Sequence, residues 1–244
     1  MSLLRACVLV GVAAFSAIPT RFPAAQEAKP VVVELFTSQG CAACPPANEY
    51  FAEIAERPGV VALSFHVDYW NYLGWPDPYS SKQATYRQKM YAMNLRQTGV
   101  FTPQIVVQGR RGEIGTDRRA VEAAISEARK AKGTVPVVFE AGPGSQLRVL
   151  IGAAQEAKGA EIWLLLLDRR ISTKIPRGEN EGRTLVHHNV VRDWRQIGQH
   201  NGERIELALN ASCEKGEKHG GVAVIVQQPK SGPILGAAIT FRKN

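Results

Sequence analysis

The chain has 244 residues, is 45% hydrophobic and 21% charged, and carries 22 Gly, 14 Pro and 4 Cys with a formal net charge of +8. This composition excludes intrinsic disorder, a collagen-like repeat and a disulfide-knotted miniprotein, and the length allows one large domain or two small ones. The bases are interleaved with acids, as where Arg118, Arg119, Arg129 and Lys130 share a segment with Asp117, Glu122 and Glu127, so a solvated helix face accounts for them and no nucleic-acid partner is expected.

Residues 1–25 open with a basic start at Arg5, continue through an apolar run over 6–18, and end in Ala24 and Ala25 before Gln26. That order reads as a secretory signal peptide cut near Gln26, and the run falls short of the roughly 20 apolar residues that span a bilayer. A periplasmic or secreted protein with no stable membrane insertion after cleavage is therefore expected. Cleavage removes Arg5 and Arg21 and no acid, so 28 bases face 22 acids and the net charge falls to +6. Cys41, Cys44 and Cys213 remain, and outside the cytoplasm thiols are paired, metal-bound or kept reduced for work.

The first element is VVVELF over 31–36, a β-branched apolar run that reads as a buried strand. Pro45 and Pro46 then suit only the first turn of a helix, which continues through Asn48 to Arg57 with Tyr50, Phe51, Ile54 and Ala55 on one side. A second strand is expected over 60–67 and a second helix over 80–95, its inner side marked by Tyr86, Met90 and Met93. Residues 105–107 and 112–114 read as strands turning at Gly109, and Asp117 caps a helix running to about Lys130 with Val121, Ala124, Ile125 and Ala128 inward. Beyond residue 133 the pattern changes to seven short strands, over 135–140, 146–151, 162–167, 183–191, 204–209, 221–227 and 235–240. The expected architecture is an α/β domain over 30–132 followed by an all-β, sandwich-like domain over 134–244.

Cys41-Ala42-Ala43-Cys44 lies between the first strand and the first helix. Spacing of i and i+3 lets the sulfurs bond, and unpaired N–H groups with the helix dipole favour a Cys41 thiolate that attacks a disulfide, Cys44 then resolving the mixed species. A purely structural disulfide and a soft-metal pair for Cu(I), helped by His66, stand as alternatives; a zinc centre lacks its second cysteine pair. Glu34 is the one ionisable residue of its strand, where a buried carboxylate could assist deprotonation of Cys44 and a water-satisfied glutamate is the bland reading. His66 and Asp68 end the second strand as a candidate structural pair. Tyr69, Trp70, Tyr72, Trp75 and Tyr79 crowd one Pro- and Gly-containing loop, which suits either the wall of a binding groove or a satellite core. His187 and His188 are adjacent on a strand and so face opposite sides, which argues against one shared metal. Cys213 is left without an assigned partner. No cofactor or resident metal is expected.

Thr102-Pro103 stands immediately before the strand 104–107, and the stretch TPQIVVQGRRGEIG with the CAAC pair resembles the thioredoxin superfamily. The resemblance implies a cis Pro103 packed against the redox pair, a Thr102 backbone that receives a bound peptide, and Glu34 as the buried acid that relays a proton to Cys44, offset by one residue from the usual spacing. The longer phrases VELFTSQGCAACPPAN, FHVDYWNYLGWPDP and RGENEGRTL resemble the secreted thioredoxin-like family catalogued as domain of unknown function 1223. Thiol-disulfide exchange on a protein disulfide, a protein thiol or a small thiol is the expected activity, with Cys41, Cys44, Pro103 and Glu34 in the chemistry and Thr102, Trp70 and Trp75 lining the groove.

Overall fold

The computed structural model describes residues 30–131, 135–142, 146–209 and 220–242. The expected signal peptide and Cys213 lie outside the described residues. Strand β1 (Val31–Thr37) is joined by helix α1 (Pro45–Ala55) to β2 (Val60–His66), and α2 (Lys82–Asn94) leads to the hairpin β3 (Gln104–Val107) and β4 (Arg111–Ile114), followed by α3 (Arg118–Lys130). β1 and β2 are buried along their whole length, as unbroken β-branched runs require when both faces of a parallel pair are covered. They pair in parallel from Val31 opposite Val60 to Thr37 opposite His66, and β3 adds antiparallel on the other edge of β1. Gln108 and Gly109 both take positive φ at the β3–β4 turn, where the Arg110 amide donates to the Val107 carbonyl at 2.9 Å, as in a turn of type I′. Asp117 caps α3 by accepting from the Ala120 amide.

Among the described residues seven strands follow, as expected: β5 (Val137–Ala141), β6 (Leu147–Ile151), β7 (Glu161–Lys174), β8 (Thr184–Gln199), β9 (Ile205–Leu209), β10 (Gly221–Gln227) and β11 (Ile234–Phe241). They do not assemble as a separate sandwich. Four of them extend the first sheet, which runs in the order β11, β10, β7, β8, β2, β1, β3, β4, and only β5, β6 and β9 form a second sheet. The join is β8 beside β2, with Ser64 opposite Val190, reinforced where Asn189 Nδ2 donates to the Ala62 carbonyl at 3.1 Å. The boundary near residue 133 therefore marks a change of pattern and no break in the sheet. Alternation identifies a strand but not its neighbour, and β2 carries apolar side chains that β8 must cover, Phe65 meeting Trp194 edge-on at 5.2 Å.

Three apolar cores form among the described residues. Val31, Val33 and Leu35 of β1 pack under Ala47, Tyr50, Phe51 and Ile54 of α1 and Val121, Ala124 and Ile125 of α3. Val32 and Phe36 face the opposite side, with Phe65, Ala84, Tyr91 and Trp194. The third core joins Val149, Ile151 and Leu209 of the small sheet to Ile162, Leu164, Val224 and Val226 of the large one. Each large side chain fully buried contributes about 1.5–3 kcal/mol, which holds α1 against the sheet although its first turn is proline. The inner side of α2 differs from expectation: Tyr86 and Met93 are 64% and 72% exposed, while Thr85, Arg87, Gln88 and Tyr91 are buried. A polar side faces inward there because Glu34 lies beneath it. Among the described residues, no helix is long and apolar enough to cross a membrane.

Candidate functional site

β1 ends at Thr37, and the chain turns through Ser38, Gln39 and Gly40 into the cysteine pair. The Cys41 amide donates to the Ser38 carbonyl at 3.2 Å. Cys41 and Cys44 form a disulfide with Cα atoms 5.4 Å apart. Cys44 is the N-cap of α1, and its carbonyl accepts from the Ala47 and Asn48 amides at 3.0 and 3.1 Å. Pro45 and Pro46 carry no N–H, so the expected unpaired amides at the helix start do not exist; a thiolate here has only the helix dipole in its favour. Both cysteines are enclosed, Cys41 at 3% exposure and Cys44 at 0%.

The Thr102–Pro103 peptide bond is cis. Pro103 lies beside the first turns of α1: a Cβ built on Gly115 would stand 3.0 Å from Pro103 Cβ and 3.2 Å from Ala47 Cβ. The groove residues named from the sequence meet around this loop. Trp70 Nε1 donates to Thr102 Oγ1 at 2.7 Å, Trp75 Nε1 donates to Gln39 Oε1 at 2.9 Å, and the Trp70 backbone lies against Gly40. Both indoles are half-buried. Tyr72, largely exposed, stacks on Trp70 with ring centres 6.5 Å apart.

Under the loop, His66 pairs with Asp77 and not with Asp68. His66 Nδ1 lies 2.6 Å from Asp77 Oδ2, and the same oxygen accepts from the Gln39 amide at 2.8 Å, while Asp68 accepts from Thr85 Oγ1 at 2.5 Å. Burial opposes the Asp77 charge, but His66 and the Gln39 and Tyr79 amides hold its carboxyl below the usual carboxylate range. His187 lies with its ring 4.6 Å from that of His66. Burial, with His66 and His188 nearby, pushes the His187 pKa down to about 3, so the ring is neutral. His66 Nε2, both His187 ring nitrogens, Gln39 Nε2 and Asn48 Nδ2 are buried without a protein partner, a departure from the usual pairing of buried polar atoms.

Glu34 is placed elsewhere. It shares the β1 face of Val32 and Phe36, on the α2 side of the sheet, whereas α1 and the cysteines belong to the other side. Its carboxylate pairs with Arg87 Nε at 2.8 Å and accepts from the Tyr91 hydroxyl. Arg87 also donates to Gln227 Oε1 at 3.0 Å. Burial beside this carboxylate carries the Tyr91 phenol well above its ordinary range. This is a closed ion-pair network across β1, α2 and β10.

Asn180 was not identified as a site residue from the sequence. It stands at the tip of the β7–β8 hairpin, is buried, and its Nδ2 donates to the Gln39 carbonyl at 2.9 Å and the Cys41 carbonyl at 3.0 Å. The signal available was RGENEGRTL itself, a polar, glycine-flanked segment in which Gly178 and Gly182 take positive φ. Among the described residues, no group of three or more His, Cys, Asp or Glu side chains is disposed to hold a metal ion.

A family described as "Protein of unknown function (DUF1223)" matches residues 32–227. An X-ray crystal structure of a structural-genomics target protein from Agrobacterium tumefaciens is similar at 34% identity and a TM-score of 0.79, covering 90% of this chain and 97% of its own. A structure described as HBP35 of Porphyromonas gingivalis is similar in fold, with 16% identity, a TM-score of 0.58, and coverage of 87% of this chain and 75% of its own. No curated protein matches the chain.

Proposed function

The chain belongs to the DUF1223 family, and we propose that it is an exported thiol-disulfide oxidoreductase of thioredoxin type. The observation that carries this reading is the Cys41–Cys44 disulfide at the N-cap of α1. The element order β1-α1-β2-α2-β3-β4-α3 and the convergence of Thr102, Pro103, Trp70 and Trp75 on the same loop support it.

In the oxidising direction a substrate thiolate attacks Cys41 Sγ. The Cys41–Cys44 bond breaks, and its electron pair leaves on Cys44 Sγ. A second substrate thiolate then attacks the substrate sulfur of the mixed disulfide and releases the Cys41 thiolate, so the substrate loses two electrons and the protein gains them. In the reducing direction the Cys41 thiolate attacks a substrate disulfide and Cys44 resolves. Ala42 and Ala43 bring no charge, and the prolines remove two amides from the helix start, so the thiolate is weakly stabilised and the pair is a mild oxidant at most.

The burial of both sulfurs favours a second reading, a disulfide that serves only as a clip. The reduction potential separates the two. A catalytic pair equilibrates with glutathione or dithiothreitol buffers between about −120 and −270 mV, and a clip lies below about −300 mV. In addition, Cys44→Ser is expected to accumulate a mixed disulfide when its Cys41 thiolate attacks a disulfide peptide and releases the peptide's other sulfur as a thiolate, and Cys41→Ser to lose exchange. Full exchange by Cys41→Ser would overturn the assignment.

A further inference from the structure

β7 and β8 form a hairpin of 14- and 16-residue strands, and its tip, residues 175–183, is the part of the hairpin that touches the redox loop. The tip is internally fixed. The Ile175 amide donates to the Arg183 carbonyl and the Gly182 amide to the Ile175 carbonyl, each at 2.9 Å, and the Glu181 amide donates to the Gly178 carbonyl at 2.9 Å. Arg183 Nη1 donates to Asn180 Oδ1 at 3.2 Å, which orients the carboxamide so that its nitrogen faces Gln39 O and Cys41 O. On its other side the tip presses on the aromatic loop: a Cβ on Gly178 would lie 3.0 Å from the Leu73 carbonyl oxygen and 3.2 Å from Trp75 Cβ.

The tip thus touches the redox loop through Asn180 and the aromatic loop through Gly178, beside the point where the Trp75 indole reaches Gln39. That is the course an extended peptide would follow if Trp75 lined its groove. Asn180 presents to the Gln39 and Cys41 carbonyls the same N–H chemistry that a peptide amide would present. Exchange also has a directional requirement. The attacking sulfur must approach Cys41 Sγ opposite Cys44, and Cys41 at 3% exposure and Cys44 at 0% leave little surface for such an approach.

We propose that the β7–β8 tip is an internal occupant of the substrate groove: the Asn180 carboxamide stands where an amide of a cysteine-bearing polypeptide segment would bind, and the tip must swing out before Cys41 can react. The proposal rests on the exchange reading above and adds the substrate's form, an extended segment offering N–H donors to Gln39 O and Cys41 O. Asn180 is a positioning residue; it touches the carbonyl of Cys41, not the reacting sulfur.

The test is the rate at which dithiothreitol reduces Cys41–Cys44 in the full oxidised protein, followed by alkylation and mass, for the wild type, Asn180→Ala and Asn180→Asp. The Asp variant keeps the shape but points carboxylate oxygens at two carbonyls. Both variants are expected to be reduced about tenfold faster or more, the factor equivalent to the net worth of one or two hydrogen bonds, with faster amide hydrogen exchange at residues 39–44. Asn180→Ser, which keeps a single donor, gives an intermediate rate and serves if the Asp variant does not fold. Reduction of these variants at the wild-type rate overturns the cap while leaving exchange by the wild type standing. Faster reduction in variants that never exchange with a cysteine-bearing peptide keeps the cap and overturns the exchange reading.

Discussion

His187 shows what the buried polar pocket costs the protein. Its ring is neutral in the folded state with a pKa of about 3, against 6.5 when free. The unfolded chain therefore binds a proton there between those values and the folded chain does not. Stability from this residue is complete above pH 6.5 and falls as pH drops toward 3, with a slope of about 1.4 kcal/mol per pH unit at most. Asp77, His66 and His188 face it, and Asp77, itself depressed, loses stability in the lower part of the same window. The diagnostic quantity is thus a difference. In urea unfolding at pH 7 and pH 4, His187→Phe should lose less stability on acidification than the wild type. An equal loss in both proteins would show that His187 takes up its proton without unfolding. The cysteines of this site are legible because a helix start and two prolines fix them locally. The Asp77 and Asn180 partnerships are not, since nothing at either position reveals which distant backbone atom its side chain will meet.

At the scale of elements, α2 records where a pattern argument fails. Tyr86, Met90 and Met93 form the apolar side that spacing selects, yet Tyr86 and Met93 face solvent and Arg87 and Tyr91 turn inward to Glu34. The single acid of β1 stands out in the sequence, but its role depends on a partner 53 residues away. A charge in such a place is weak evidence of net stabilisation, because desolvation offsets attraction, but removing one partner alone costs about 3–5 kcal/mol. Arg87→Met should be destabilised by that order in chemical denaturation, and Glu34→Leu/Arg87→Met should recover most of it. A double variant as unstable as the single would mean that Tyr91 and Gln227 depend on the carboxylate itself. Strand and helix positions were otherwise readable, because α1, α3, β1 and β2 combine period, caps and breakers that agree.

The described residues form one large sheet with helical flanks on one half and a second, smaller sheet on the other. Sequence texture gave both halves their elements but placed a boundary where the hydrogen bonding has none, since composition shifts report the local period and not pairing. A fragment of residues 30–132 therefore leaves the β2 edge and Phe65 uncovered, where β8 and Trp194 belong, and exposed apolar edges template association. Expressed alone, it should be largely aggregated, and light scattering with circular dichroism would detect this. A monomeric fragment with a cooperative melt would show that β8 is dispensable.

The hairpin that carries Asn180 also sets an order in time. Synthesis runs from the N-terminus, and 139 positions separate Cys41 from Asn180. The segment that forms the cysteine loop is complete well before the residue that hydrogen-bonds its carbonyls has been added to the chain, and in a chain exported N-terminus first it is also the first to reach an oxidising compartment. On the capping proposal, the sulfurs thus meet oxidants before the hairpin folds over them. A chain that matured with its thiols unpaired would close over them, so the redox history of the newborn protein is sealed in when the hairpin folds down.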